Sequence, residues 1–522
     1  TAAFWLARAS GPLRPERVLL SGLVLTAFAG AGTSFLLYRL SGMQLQAATR
    51  WLMGGVSVTT SWQLAPGVIV VTVATAWGLA GANGLNALSL GEEGARGVGV
   101  DEGRLVRGSV WLSSALAAVA VALAGIIGFV GLLVPHALRA IVGRDHRLLV
   151  PASVGVGGAF LCWADALARV IVAPAELPVG ILTALAGCPM LLAFLRHRAP
   201  IRPAGRSART DAAEGRDALS PSALSPSAGS PSAGSPSAVL PSAEAAVSVP
   251  AGGDDATQVG PGSTPLACEN LTVRYAGTAS VARAGAAAAS DVSLAFAKGT
   301  LTVLVGPNGS GKTTLLRALA GVVEPTAGRV FDGNTPRRRG HRPDARRLAY
   351  LPQQLQFEPG TTVGELVALG RTPWLGGRSA SRFLGSLGHE DEVAIEAACE
   401  RVGLTVDRRT PLDHLSGGQR QNAFLALVLA QQADVLLLDE PTTSLDLPQA
   451  SRVLSLLADL AHRDGRTIVA ALHELPLALA TADRAGVVAE GQLIGFGEPD
   501  SPAIRAALQA AFGPAIASLL HW

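Results

Sequence analysis

Two patterns of apolar and polar residues divide the chain. Up to about residue 200, long apolar runs are interrupted by short polar stretches that carry arginine. From about residue 266 onward, short apolar runs end at glycines or carboxylates and alternate with helix-forming segments. The first pattern predicts membrane-spanning helices and the second predicts buried strands of an α/β sheet.

Residues 18–38 are uncharged and bracketed by Arg17 and Arg39, long enough to cross a hydrocarbon core of about 30 Å. Residues 68–85 give a second span, and the connection between them carries Trp51 and Trp62, which suit a membrane interface. Residues 109–138 hold no charge apart from a titratable His136 and are too long for one ordinary span. Gly125, Gly128 and Gly131 offer places for a reversal, so a two-span hairpin is expected there. Residues 148–172 and 177–194 bring the expectation to six crossings. The basic clusters at Arg14 and Arg17, Arg96 to Arg107, Arg139 to Arg147 and Arg196 to Arg202 then share one side, which is the cytoplasmic one.

Three features inside this part carry chemistry. Asp165 and Arg169 lie four residues apart on one helical face, either lining a solute path or neutralising each other near the surface. His136 follows Pro135 and reads as a proton relay or as a hydrogen-bonded residue at a helix break. Residues 90–100, LGEEGARGVGV, are polar and glycine-rich, with Glu92, Glu93 and Arg96 available to a soluble domain.

Residues 219–243 repeat a Ser-Pro-Ser-Ala unit that cannot bury enough apolar area to offset ordering entropy. The expectation for residues 199–265 is a disordered tether.

In the last part, LTVLV runs into Gly306, Pro307, Asn308, Gly309, Ser310, Gly311, Lys312, Thr313 and Thr314, with the G-x-x-x-x-G-K-[ST] spacing of a phosphate-binding loop. Its glycines turn successive N–H groups toward one anion and the next helix adds its dipole. Lys312 is expected on the β- and γ-phosphates of ATP, and the Thr313 hydroxyl on Mg²⁺. A second apolar run, VLLL, ends in Asp439, the expected Mg²⁺ ligand, and Glu440, the expected polariser of the attacking water. Between them, Leu415, Ser416, Gly417, Gly418 and Gln419 form a second anion cradle at a helix start. One ATP does not need two cradles in one chain, so the second is expected to serve a partner's nucleotide in a head-to-tail dimer.

Composition sharpens this in two places. A chain that is 49% hydrophobic yet 16% charged fits membrane and soluble parts in one polypeptide. Lysine occurs only at Lys298 and Lys312 against many arginines, so the loop retains a compact ammonium where a guanidinium would not substitute. The net charge of +3 is too small to argue for nucleic acid. Cys162, Cys188, Cys268 and Cys399 are too scattered for a disulfide framework or a zinc site. The chain begins at Thr1 without a signal-peptide pattern and reads as a fragment.

The strings NALSLGEEGARGVGV at 86–100, GFVGLLVPHALRAIVGRDHR at 128–147 and ADALARVIVAPAELPVGILTALAGCPMLLAFLRHR at 164–198 resemble the FecCD family of permease subunits. Those permeases serve importers of iron-siderophore complexes, haem and cobalamin and usually have ten helices, of which this chain resembles the last six. The resemblance implies that residues 90–100 dock on the ATPase. The order of the phosphate loop, Gln353, LSGGQ, LLLDEP, TSLD at 443–446 and His473 resembles the ATP-binding cassette family. It implies that Tyr275 stacks on adenine, Gln353 contacts Mg²⁺ and senses the permease, His473 contacts the γ-phosphate and Asp446 links the two ATPase sites. Asn422 and Trp374 stand where the family often has Arg and His.

The expectation is therefore a multidomain chain with an all-α polytopic membrane domain at 1–198, a linker at 199–265 and an α/β P-loop ATPase domain at 266–522. Its expected function is ATP-driven import of an iron-siderophore-type complex across a bacterial plasma membrane. An extracytoplasmic solute-binding protein and a second copy or another permease chain are the expected partners, with no nucleic acid. Haem or cobalamin import, and a membrane-tethered ATPase with an incomplete permease, are the alternatives; an exporter is disfavoured by the importer-like strings.

Overall fold

The computed structural model describes residues 15–55, 61–171, 177–197, 264–275, 288–338, 344–375 and 387–516. The tether expected at 199–265 lies outside them, apart from Thr264 and Pro265. By contacts, 1–187 and 259–522 form one compact unit and 188–258 a second, of which only the end of one helix is described.

The membrane part is helical: α1 Pro15–Tyr38, α2 Gly42–Leu52, α3 Ala65–Ala80, α4 Ala82–Leu88, α5 Gly91–Gly97, α6 Glu102–Ala124, α7 Val130–Val142, α8 His146–Ile171 and α9 Val179–His197. Among the described residues, Leu19–Tyr38, Trp62–Ala80, Glu102–Ala124 and His146–Ile171 are long and apolar enough to cross a membrane; Val130–Val142 and Val179–Met190 are shorter apolar helices. Hardly any of their side chains are buried, and Leu20, Phe28, Val68, Trp111 and Val170 are all exposed. Surfaces so apolar need lipid or other helices around them.

The hairpin expected at 109–138 is built differently. Its first leg starts at Glu102, with Asp101 accepting the Arg104 N–H at 3.1 Å as the cap, so Arg104 and Arg107 lie inside the helix. The reversal falls at 125–129, where Gly125 and Phe129 take φ of +70° and +66°. A side chain at Gly125 would meet the Trp51 carbonyl, so this turn packs backbone on backbone. Gly131 lies within α7 and does not turn the chain. The return leg, α7, has 13 residues, about 20 Å of helix, shorter than the hydrocarbon core. Asp165 and Arg169 pair at 2.8 Å in the last two turns of α8, whose first turn lies beside the α/β part. That position favours the neutralising pair near the far surface.

The remaining chain forms the α/β part: β1 Leu266–Val273, β2 Ala289–Phe296, β3 Leu301–Val305, α10 Lys312–Leu319, β4 Ala327–Asp332, β5 Thr335–Pro336, β6 Leu348–Leu351, α11 Val363–Leu369, α12 His389–Arg401, α13 Gly417–Ala430, β7 Val435–Asp439, α14 Leu447–His462, β8 Thr467–Ala471, α15 Leu475–Thr481, β9 Arg484–Ala489, β10 Gln492–Gly497 and α16 Pro502–Phe512. A four-stranded sheet of order β2-β1-β4-β5 is antiparallel. A six-stranded sheet has the order β10-β9-β3-β8-β7-β6, parallel except at β10. Its strands β3, β7 and β8 are buried at every position, as uniformly apolar parallel strands covered on both faces must be. Because β3, β8 and β7 are adjacent, the residues just past their C-terminal ends converge on one edge.

Candidate active site

The phosphate loop leaves β3 at that edge. Gly306, Gly309 and Gly311 take φ of +155°, +78° and +107°. A Cβ at Gly306 would stand 2.0 Å from the Val488 carbonyl oxygen, so that position excludes every side chain. The loop feeds α10, and Asn308 to Thr314 line a cleft of about 580 Å³ together with Ala288, Gln353, Glu440 and His473. Of the residues expected from sequence to handle the nucleotide, Asn308 to Thr314, Gln353, Glu440 and His473 thus meet in one cavity.

Lys312 turns back on its own loop. Its Nζ donates to the Gly306 and Pro307 carbonyls at 2.8 and 3.0 Å. Burial lowers its pKa, while Glu440 and Asp439 oppose that by favouring the charge. Thr313 Oγ1 donates to Asp439 Oδ1 at 3.1 Å. The other carboxylate oxygen, Oδ2, is buried without a partner, and burial pushes the Asp439 carboxyl up to about 6. A hydroxyl beside an unpaired, desolvated carboxylate oxygen is a donor set that fits a hard divalent cation such as Mg²⁺.

Glu440 follows Asp439 in the left-handed region, at φ +53°. Its Oε1 stands 2.5 Å from His473 Nε2 and its Oε2 accepts from Thr443 Oγ1 at 3.0 Å. Burial alone would raise its pKa, but the His473 hydrogen bond and charge, with Thr443 and Gln353, bring it below the ordinary carboxylate value. The carboxylate is thus ionised, and its side chain faces the phosphate cleft.

Six expected residues lie elsewhere. Ser416 caps α13: its hydroxyl accepts the Gln419 N–H at 3.2 Å, and Gln419 Oε1 accepts the Ser416 N–H at 3.1 Å. Ser416, Gly418 and Gln419 line a separate cavity with Arg401, Asn422 and Arg452. Gly417 stands against Ser444. Asp446 caps α14 by accepting the Gln449 N–H at 2.9 Å. Tyr275 is half exposed past the end of β1, its hydroxyl 3.5 Å from Thr314 Oγ1.

A second cluster lies where α5 meets the α/β part; the sequence reading named its α5 side but not the residues it meets. Glu93 pairs with Arg317 of α10 at 3.0 Å, and Arg96 donates to the Val322 carbonyl at 3.0 Å. The buried Gln431 donates to the Gly97 carbonyl at 3.2 Å. A Cβ on Gly97 would lie 2.6 Å from the Tyr350 carbonyl oxygen, and one on Gly94 2.7 Å from Leu355. Gly97 therefore lets backbone lie on backbone, and Gly94 leaves room for the Leu355 side chain. Beside this contact Arg144 donates to the Glu358 carbonyl at 3.0 Å. Trp374 sits 5.0 Å from both Arg346 and Arg371 and donates to the Gln431 carbonyl at 2.9 Å. Asn422 donates to the Val402 carbonyl at 3.1 Å. Both departures from the family pattern thus serve internal contacts.

Comparison with known proteins matches the same two parts. Residues 1–197 match the FecCD transport family and residues 289–443 match a family described as ABC transporter. The chain is 38% identical over 211 residues to a petrobactin import ATP-binding protein of Bacillus anthracis, covering 40% of this chain and 75% of that protein. It is 41% identical over 234 residues to a hemin import ATP-binding protein of Nocardia farcinica, covering 44% and 78%. It is 44% identical over 193 residues to a cobalamin import system permease protein of Halobacterium salinarum, covering 37% of this chain and 52% of that protein. On the membrane side, then, the chain spans about half the length of the permease it resembles.

Proposed function

We propose that this chain, which belongs to the ABC transporter family and joins a FecCD-type permease part to its own ATPase, imports an iron-siderophore-type complex across a bacterial plasma membrane. The division we propose is permease at 1–198, tether at 199–265 and ATPase at 266–522. The observation that carries the reading is the seating of α5 on the cassette: the glycine-rich loop of the membrane part and the phosphate-loop helix share an ion pair within one polypeptide. ATP hydrolysis and a membrane path are thereby mechanically joined.

In the cycle we infer, Lys312 exchanges the Gly306 and Pro307 carbonyls for the β- and γ-phosphates of ATP. Thr313 and Asp439 hold Mg²⁺, which when bound neutralises charge developing on the transferred phosphoryl group. Gln353 contributes a further contact at the same cation. Glu440, held by His473 and Thr443, accepts hydrogen from the attacking water and His473 contacts the γ-phosphate. Tyr275 stacks on the adenine. Ser416, Gly417, Gly418 and Gln419 reach the nucleotide of a second cassette, since their own cavity is separate from the phosphate cleft, and Asp446 links the two sites. An extracytoplasmic binding protein delivers the cargo, and a second copy or another permease chain completes the path.

The test is ATP hydrolysis by the full chain in lipid vesicles, beside Glu440→Gln, with and without candidate loaded binding proteins. Stimulation by a siderophore-loaded protein, absent in the variant, supports the reading. Stimulation only by a haem- or cobalamin-loaded protein reassigns the cargo, and turnover indifferent to all of them marks a membrane-tethered ATPase.

A further inference from the structure

We propose that Arg317 is a positioning residue through which the membrane part sets the phosphate-binding helix, with Glu93 and Arg96 as its two points of grip. Helix α10 carries Lys312 and Thr313 in its first turn and has only eight residues, so it moves as one short rod. Arg317 stands four residues after Thr313, on the same face. Any displacement imposed at Arg317 is therefore delivered to the Thr313 hydroxyl and to its bond with Asp439.

The grip is double. Glu93 holds the Arg317 guanidinium at 3.0 Å, in a pair whose side chains are only about a third exposed and so weakly screened. Arg96, one turn further along α5, holds the turn that ends α10: it donates to the Val322 carbonyl at 3.0 Å. That turn itself closes on Arg317, whose carbonyl accepts the Val322 and Val323 N–H groups at 2.8 and 3.2 Å. Side chain and backbone of one residue are thus fixed from the membrane part.

The other end of the grip is anchored in a membrane helix. Arg96 Nε donates to Glu102 Oε1 at 2.9 Å, and Glu102 is the first residue of α6. A continuous series of polar contacts runs from α6 through Arg96 and the α10 turn to the phosphate loop. It bypasses Gln353, the residue expected to sense the permease. A short rod held at its C-terminal turn and bearing its ligands at the other end converts a shift of α5 into a tilt of Lys312 and Thr313.

This inference rests on the reading of α5 as the docking loop, but its test uses no cargo. Hydrogen exchange of residues 90–100 is followed in the full chain in lipid vesicles, with and without Mg²⁺ and a non-hydrolysable ATP analogue. In the parent the analogue changes exchange across 90–100. In Arg317→Gln the analogue binds with a Kd within about threefold of the parent while the response at 90–100 is lost. Glu93→Gln, which leaves the cassette's own sequence intact, gives the same loss. The charge swap Glu93→Arg with Arg317→Glu restores the response, which a merely structural role would not do. A response that persists in both single variants, or a swap that binds the analogue without restoring it, overturns the proposal. If the response behaves as stated and no loaded binding protein stimulates turnover, the import reading fails alone.

Discussion

Asp439 holds its carboxylate where the nucleotide-free protein disfavours charge. Burial moves it from an ordinary 3.8 to about 6, and Oδ2 has no partner. Between those values the folded protein retains a proton that the unfolded chain has released. Stability therefore falls as pH rises from about 4 to 6 and stays at the lower level above. At about 1.36 kcal/mol per pH unit the gap amounts to up to about 3 kcal/mol at pH 7.5, and roughly half of that at pH 5. Asp439→Asn removes the titration and keeps an oxygen for the Thr313 hydroxyl. In EDTA without nucleotide, the full-chain variant should unfold up to about 6 °C above the parent at pH 7.5, with the difference about halved at pH 5. Thermal unfolding at one fixed scan rate reads this directly. Added Mg²⁺ and ATP should raise the parent by more than the variant, while hydrolysis by the variant is lost. A difference that ignores pH, or a variant less stable at both values, refutes the account of Asp439 as a site kept strained for a cation.

Two further outcomes follow from the contacts around the site. Gly97→Val brings a side chain against the Tyr350 carbonyl, a backbone atom that cannot yield, so α5 unseats; ATP turnover in vesicles should persist while its response to any loaded binding protein disappears. Arg371→Met leaves the mostly buried Asp391 carboxylate with only the Gly388 N–H, and frees the Ala430 carbonyl that Arg371 holds at 2.8 Å. That should cost about 3 kcal/mol and lower the unfolding midpoint by about 6 °C, with analogue binding by the surviving folded fraction unchanged.

The phosphate loop, Asp439 and Glu440 were legible because their chemistry is local: a glycine spacing, and an apolar strand that ends in carboxylates. His473 needed the strand order as well, since only the adjacency of β7 and β8 brings it within 2.5 Å of Glu440. The apolar runs located the membrane helices but not the hairpin of 109–138. Charge scarcity placed its start at Ser109, whereas the Asp101 cap starts the helix at Glu102 and carries Arg104 and Arg107 into it. A polar cap outweighed the absence of charge. The Arg317 contact was illegible for another reason. An ion pair between residues 93 and 317 is written in no local pattern and depends on two surfaces meeting. The sequence offered one side of it, residues 90–100 with Glu93 and Arg96, and nothing that singled out Arg317 on the other.

The separation of the two cradles allows one last test, of stoichiometry. In one chain Ser416 and Gln419 satisfy each other across the start of α13, and their cavity is not the one lined by Lys312. If each ATP is held by the phosphate loop of one copy and the Ser416 cradle of another, two different defects can complement. A Lys312→Ala chain lacks a working phosphate loop and keeps its cradle; a Ser416→Arg chain has the reverse. Each alone should be inactive, because every site in its dimer contains the defect. In an equal mixture about half of the dimers are mixed and half of their sites are intact, so turnover should return to about a quarter of the parent's. If both elements serve the same copy's nucleotide, no pairing rescues either chain. A mixture as silent as its components would therefore refute the composite site, and partial recovery with neither parent active would require it.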